Sequence, residues 1–464
     1  MSERVLFYLL FLVVGFVASI VLAGTRLRVY ALILYVGVLM VFENQNGWGM
    51  VISDLSEVDN IYNKGVGVLG LSLVNIYLFF LAGALPIISS DRREIKPHNL
   101  SQVGWVFILV FVLNVIYGLA TDVELERIFD YKGVMNIINL CMLFSVLVYY
   151  INEQSDYNLL VNSIVILAVL RGVWGLFRFV FLGGDPSNFY ANNQGLDVKL
   201  TFFDINDSLV ATMVAFIAAW RYLSTEPTLL GRRLMYLSIV ILEVLIVVLS
   251  YRRTAWGGLL MAYILFMLCQ RPEVRRNLIF VGVIFVVPAI FFALLKRTDG
   301  ATGEISLAAL FPDIYQDGEI SFNTGRFAEL YAVWITLENS LLFGAGVWGV
   351  YDGSSFIELD FHEGDFSWMH SGLFHIALKM GLIGISIVVV VMVLFFKFIR
   401  RSYRLGDTKN WDVFMAGAAG LLFSLPNWFF GTPIIEFRTM QLMALAMALP
   451  YIAQKISAKG RSEI

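Results

Sequence analysis

The sequence predicts an all-α polytopic membrane protein with about 12–13 transmembrane helices and one large polar loop on the outer side. Three observations carry that prediction. Hydrophobic residues make up 59% of the 464 positions against 15% charged, with a mean hydropathy of +0.76, a balance that a water-soluble core does not require. The apolar residues fall into runs near the ~20 needed to cross a bilayer. Basic residues recur in every second connection. Unpaired backbone groups find no partner in hydrocarbon, so the runs should be helices.

In chain order the runs lie near 5–23, 29–42, 65–88, 101–119, 134–151, 158–183, 208–223, 234–250, 254–270, 277–295, 371–397, 412–430 and 434–454. The first has the length of a secretory signal, but more spans follow it in place of a cleavage site and a soluble domain, so it is read as an uncleaved span. Loop charges orient the set: Arg92, Arg93 and Lys96; Arg221, Arg232 and Arg233; Arg271, Arg275 and Arg276; Arg400, Arg401, Arg404 and Lys409; Lys455, Lys459 and Arg461. Those connections should be cytoplasmic. Segments 43–64, 120–133, 184–207 and 296–367, with the tight break at Tyr251-Arg252-Arg253, should face outward. A net charge of −3 is divided between the two faces. Cys141 and Cys269, both inside spans, exclude a disulfide framework and a thiol metal site. With no internal repeat or linker, residues 1–464 read as one membrane domain, and 296–367 as a large loop within it.

That loop is acidic without having a disordered composition. Arg326 to Glu338 places Phe327, Leu330, Tyr331, Trp334, Ile335 and Leu337 at the spacing of an amphipathic helix lying on the membrane surface, with Asn323 or Thr324 as its cap. Gly344, Gly346 and Gly349 follow, where backbone can approach a ligand or another helix closely.

The charges near the spans are the candidate functional residues. Arg171 sits within 158–183, where a charge costs at least about 2.5–3.5 kcal/mol on insertion scales. Two readings are open: a polar cavity that binds substrate, or a carboxylate partner serving packing alone. Arg178, seven residues on, shares its face and either joins that cavity or reaches the outer headgroups. Arg252 and Arg253 occupy a break on the side where the topology rule disfavours cations, which points to an anion, either a substrate or lipid phosphate. Arg326 near a helix start opposes the helix dipole, so a bound anion or Glu329, one turn on, should compensate it. His370 and His375 open the 371–397 run five residues apart, off a common stripe; His370 suits proton transfer or simple interfacial anchoring. Asp360, His362, Glu363 and Asp365 form either a divalent-cation set or a solvated acidic patch, and Asp204 and Asp207 allow the same two readings. No P-loop, nucleophile elbow or dinucleotide glycine fingerprint is present, and nothing points to nucleic acid.

Three segments, taken in order, resemble the O-antigen ligase and polymerase family of bacterial membrane glycosyltransferases. Leu249-Ser-Tyr-Arg-Arg253-Thr-Ala-Trp-Gly-Gly258 is similar to its Ser-Arg-Thr/Gly segment. Asn323-Thr-Gly-Arg326 through Trp334, with Glu338-Asn-Ser-Leu-Leu-Phe-Gly344-Ala-Gly346, resembles its Gly-Arg…Trp…Glu-Asn-Pro…Gly-x-Gly stretch. His370-Ser-Gly through Gly381-Leu-Ile-Gly384 resembles its His-Asn…Leu…Gly-Leu-x-Gly helix. The likeness covers about residues 200–400. Arg252 stands where the family often has Ser, Ser340 where it has Pro, and Ser371 where it has Asn.

The resemblance implies a GT-C-like architecture in a bacterial inner membrane with the active site facing the periplasm. It implies transfer of a glycan from a polyprenyl (undecaprenyl) diphosphate to a sugar hydroxyl, inverting and independent of metal or other cofactor. In that scheme Arg171, Arg252, Arg253 and Arg326 hold the diphosphate, guanidinium groups stabilising its developing charge. His370 orients or accepts the acceptor proton, with Glu363 or Asp365 as a possible acceptor base instead. The leading expectation is a polymerase joining lipid-linked repeat units into O-antigen, capsule or exopolysaccharide. The alternative is a ligase moving finished glycan to lipid A-core or protein, as in lipopolysaccharide assembly; a further one is a transporter of lipid-linked glycan. Expected partners are the lipid-linked oligosaccharide, the glycan acceptor and membrane lipid, with a chain-length regulator or a flippase beside them.

Overall fold

A computed structural model describes residues 3–42, 72–85, 99–130, 133–184, 201, 203–288, 291, 315–316, 319–320, 325–352, 365–406 and 409–462. Its helices are α1 (Glu3–Gly24), α2 (Leu27–Val41), α3 (Leu73–Gly83), α4 (Asn99–Ala120), α5 (Leu125–Ile128), α6 (Met135–Tyr150), α7 (Gln154–Phe181), α8 (Ile205–Ser224), α9 (Leu230–Leu249), α10 (Arg253–Leu268), α11 (Pro272–Val281, continued by a π turn at Gly282–Val286), α12 (Gly325–Leu337), α13 (Gly372–Leu405), α14 (Trp411–Phe430) and α15 (Phe437–Ser462). Each of the thirteen expected apolar runs contains a helix. Among the described residues four helices, Gln102–Ala120, Gln154–Phe181, Gly372–Leu405 and Trp411–Phe430, are long and apolar enough to cross a membrane on their own, or five if the bent pair Val13–Leu22 and Leu27–Val41 is one span. The others are shorter or carry charge: α10 has 16 residues, and α9 holds Arg232, Arg233 and Glu243. Such helices sit in hydrocarbon only when neighbours cover their polar groups.

α15 is that cover for much of the bundle. From Phe437 to Ala453 it is buried at every position, packed against α14 and α6, with α8 beyond. Ala444, Ala446 and Ala448 on α15 and Ala416 and Ala419 on α14 let the two backbones come close, which is how helices associate where no hydrophobic force separates protein from solvent.

Side-chain ties define two ends. At one, Arg26 meets Glu153 (2.5 Å), Lys455 donates to Asn152 (3.1 Å), Gln454 to Ser402 (3.1 Å), Tyr403 to the Cys269 carbonyl (3.3 Å), and Arg221 pairs with Asp412 (2.7 Å). The basic connections after α8, α10, α13 and α15 gather here. At the opposite end, here called the mouth, α12 and two short antiparallel pairs, β1–β2 (Tyr315–Gln316 with Glu319–Ile320) and β3–β4 (Tyr351–Asp352 with Asp365–Phe366), form part of the 296–367 segment.

α12 forms as its periodicity predicts, but it buries a different stripe. Ala328, Ala332, Val333 and Leu337 are its buried residues, and it packs on α13 and β3, whereas Tyr331, Trp334 and Ile335 stay exposed. The small alanines permit the close contact, and the larger apolar side chains remain on the outer surface, where an interfacial helix would need them. Asn323 and Thr324, the expected caps, lie outside the described residues.

Candidate active site

The turn between α14 and α15, Gly431–Glu436, is where the mouth is assembled, and four elements reach it. Arg326, in the first turn of α12, donates through Nη1 to the Phe430 carbonyl. Gly372, first residue of α13, lies so close to Trp428 and Pro433 that a Cβ would come within 2.9 and 2.8 Å of them. Asn136, opening α6, donates to the Ile434 carbonyl at 2.8 Å. Arg252, in the α9–α10 break, acts electrostatically on Glu436, which also faces the Asp204 carboxylate and accepts from the Thr439 hydroxyl at 2.5 Å. Arg252, Arg326 and Gly372, 120 positions apart in sequence at the extremes, thus meet at or beside one turn.

His370 precedes the helix cap Ser371, whose hydroxyl accepts from the Phe374 amide. Its backbone N–H donates to Glu329 Oε2 at 2.9 Å, and its Nδ1 lies 2.8 Å from Glu329 Oε1. An ionised carboxylate only accepts, so Nδ1 carries the proton and Nε2 is left as the basic nitrogen. The Trp368 ring meets the imidazole edge to face, centroids 5.0 Å apart, and the Trp368 carbonyl is held by the Tyr351 hydroxyl at 3.2 Å. Glu329, expected with a bound anion as one of two ways to compensate Arg326, gives both of its oxygens to His370. His375, by contrast, is 1% exposed within α13.

In the α9–α10 break, Ser250 caps α9 and Tyr251 turns in the left-handed region (φ 51°). Trp256 Nε1 ties the start of α10 back to the Val248 carbonyl at 3.2 Å. This holds Arg252 just before α10 and Arg253 as its first residue, both half-buried.

Arg171 meets a carboxylate. Nε and Nη2 make a two-pronged pair with Asp207 (2.6 and 3.0 Å) and Nη1 donates to the Val41 carbonyl at 2.6 Å. Arg438, fully buried, completes the cluster: Nη2 reaches Asp207 at 2.7 Å, Nη1 reaches Asp204 at 3.2 Å, and Nε holds the Leu39 carbonyl at 2.6 Å. Two guanidinium groups thus meet two carboxylates and also satisfy carbonyls at the end of α2 that the helix leaves open. The carboxylate partner named in the second of the two open readings is present. Asp204 and Asp207 also form a reciprocal cap on α8, Asp204 accepting from the amides of Asn206 and Asp207 at 2.8 Å each. That is a third role, beyond the two considered for them. Arg178 is buried at the far end of α7 rather than extended to headgroups. Glu363, Asp360 and His362 lie outside the described residues; Asp365 is exposed on β4. Among the described residues no cluster of His, Cys, Asp and Glu has metal-binding geometry.

The glycine segments are the two halves of one joint. Gly381 interrupts α13 with φ +61°, and Leu341–Gly346 lies against the break: the Ala345 amide donates to the Leu378 carbonyl at 2.7 Å, and the Leu382 amide to the Leu341 carbonyl at 2.9 Å. A Cβ on Gly381 would fall 2.4 Å from the Leu342 carbonyl, and one on Gly344 (φ +71°) would fall 2.6 Å from the Gly381 amide nitrogen. Nearby, buried Lys379 donates to the Gly349 carbonyl at 2.6 Å. The joint locks the segment after α12 onto α13, and so fixes Glu329 against His370.

Residues 237–389, from within α9 to the middle of α13, match the family model described as O-antigen ligase. That stretch contains Arg252, Arg253, Arg326, Glu329, His370 and both glycine segments. The match supports transfer of lipid-linked glycan in a membrane. No curated protein matches the chain.

Proposed function

From that match, we propose that the mouth transfers a glycan from a polyprenyl diphosphate to a sugar hydroxyl, by a single inverting displacement. The observation that carries the reading is that Arg326 and the start of α13, two residues after the Glu329-bound His370, both meet the end of α14 and its following turn, which Arg252 also faces. One side of the mouth offers fixed cations and the other offers a basic imidazole nitrogen held by a carboxylate. As the acceptor oxygen bonds to the anomeric carbon, the carbon–oxygen bond to phosphate breaks and negative charge grows on the diphosphate. Arg252, Arg253 and Arg326 stabilise that charge. His370 Nε2 accepts the acceptor proton, and Glu329 stabilises the resulting imidazolium. The diphosphate leaves without a general acid. Neither a metal nor another cofactor is assigned a role.

The proposed setting is a bacterial inner membrane with the mouth at the periplasmic face, because the basic connections gather at the other end. The proposed product is a surface polysaccharide polymerised from lipid-linked repeat units. The second reading is ligation of finished glycan to lipid A-core, and the O-antigen ligase match is compatible with both. Purified protein in detergent, given lipid-linked repeat unit alone in the presence of EDTA, tests both. A product ladder with free polyprenyl diphosphate supports the polymerase; product only once lipid A-core is supplied supports the ligase. Silence under both conditions overturns transfer in favour of transport.

A further inference from the structure

Trp368 is the ring beside the proposed base. Its indole meets the His370 imidazole edge to face, with centroids 5.0 Å apart. Glu329 takes the Nδ1 edge, so an acceptor reaches His370 from the Nε2 edge, and the His370 side chain keeps 35% of its surface open. A hydroxyl donating to Nε2 at about 2.8 Å leaves the sugar ring that carries it within reach of the indole. Trp368 is itself half-buried. The β3–β4 hairpin fixes where it stands. The Tyr351 hydroxyl holds its carbonyl at 3.2 Å, Tyr351 stacks on Phe366 across the strand pair with centroids 5.7 Å apart, and Met369, the next residue, is buried. A side chain held this way loses little freedom when a ligand packs on it.

The surroundings of the indole select the chemistry of that ligand. Between Arg326 and Lys379 the chain has seven carboxylates and no Lys or Arg. Asp352 and Asp365 stand directly opposite one another on β3–β4, both exposed, and Asp365 is three residues, at most about 11 Å, from Trp368. Like charges facing across a strand pair repel one another. Ionised carboxylates only accept hydrogen bonds, so the hairpin favours hydroxyl groups and turns phosphate away. An indole face is electron-rich and favours the slightly positive C–H hydrogens of a saturated ring. A neutral, hydroxylated ring with a C–H face satisfies both demands, and a pyranose is such a ring. The arginines of the mouth lie on α12, at the start of α10 and in the break before it, so the two substrates meet different walls.

We propose that Trp368 is the platform for the acceptor sugar. A pyranose of the acceptor stacks on the indole and directs one hydroxyl to His370 Nε2, while the acidic hairpin keeps the lipid diphosphate to the arginine side. The role of His370 as base rests on the proposed function; the sugar platform does not.

Full-length protein in detergent is titrated with two lipid-free probes, the repeat-unit oligosaccharide and the core oligosaccharide, with binding read by saturation-transfer NMR. At least one should bind, with saturation strongest on the C–H protons of a single ring, and inorganic diphosphate should not displace it. Trp368→Leu should weaken binding about tenfold and Trp368→Phe, which keeps a smaller face, about threefold. The Phe variant carries the test if the Leu variant does not fold. Binding of neither oligosaccharide, displacement by diphosphate, or wild-type affinity in the folded variants overturns the platform. In transfer assays Trp368→Leu should raise KM for the acceptor oligosaccharide about tenfold, leaving KM for the lipid-linked donor and the pH midpoint of kcat in place. A lower kcat or a moved pH midpoint at unchanged acceptor KM would mean that the ring only orients His370, which also overturns the platform. Trp368-dependent binding without any transfer counts against the proposed reaction and leaves the platform standing; transfer with unchanged acceptor KM in Trp368→Leu does the reverse.

Discussion

Glu329 and His370, 41 positions apart, form a closed pair in which one carboxylate oxygen takes the His370 amide and the other faces Nδ1 at 2.8 Å. The amide bond fixes where the helix cap begins, and the ring bond fixes which nitrogen is basic. Glu329→Gln keeps the shape but offers a donor where an acceptor is needed. We expect it to lower kcat by about 10²-fold or more with little change in KM or thermal midpoint. Unaltered turnover would remove His370 as the base.

Arg326 and Arg252 should behave as anion-stabilising groups. Arg326→Ala and Arg252→Ala are each expected to cost about 10²–10³ in kcat/KM while the protein still inserts and purifies. The check is transfer from lipid-linked donor, normalised to folded protein by size-exclusion profile.

Arg171 should behave differently, through stability. Arg171→Met leaves Asp207 with Arg438 alone in a buried site and is expected to destabilise by about 3–5 kcal/mol. Pairing it with Asp207→Leu should restore much of the thermal midpoint, since a buried ion pair is replaceable by well-packed apolar groups. Loss of activity at unchanged stability in Arg171→Met would return this residue to the diphosphate.

Gly381→Ala combines left-handed backbone strain, about 1–3 kcal/mol, with a Cβ 2.4 Å from the Leu342 carbonyl. The expected outcome is a lower thermal midpoint and lower kcat together, because the joint that positions His370 loosens. An active, fully stable Gly381→Ala would show that the α13 break has no part in the site.

Glu243, on α9, is 1% exposed and neither carboxyl oxygen has a hydrogen-bond partner among the described residues. Burial without pairing costs stability unless the group is neutral. Glu243→Leu should therefore match or exceed the wild-type thermal midpoint in detergent, and Glu243→Lys should fail to accumulate in the membrane.

What the sequence by itself determined was one-dimensional. Length and apolarity of each run locate the spans, loop cations orient them, and the 3.6-residue repeat of Arg326–Glu338 marks α12. Arg252, Arg326 and His370 stood out because a charge near a span is costly wherever it occurs. The tertiary structure decided which group answers each charge. Arg171 lies 36 positions from Asp207, and Arg438 reaches from α15 to α8, partnerships with no local periodicity to betray them. Arg438 and Glu436 did carry a signal, two charges within the 434–454 run, and so did Glu243 within 234–250. In a bilayer the helices are apolar around most of their surface, so pattern alone says little about which face meets which neighbour. Close packing of small residues and the pairing of buried polar groups make that choice, and both depend on contacts between segments far apart in the chain.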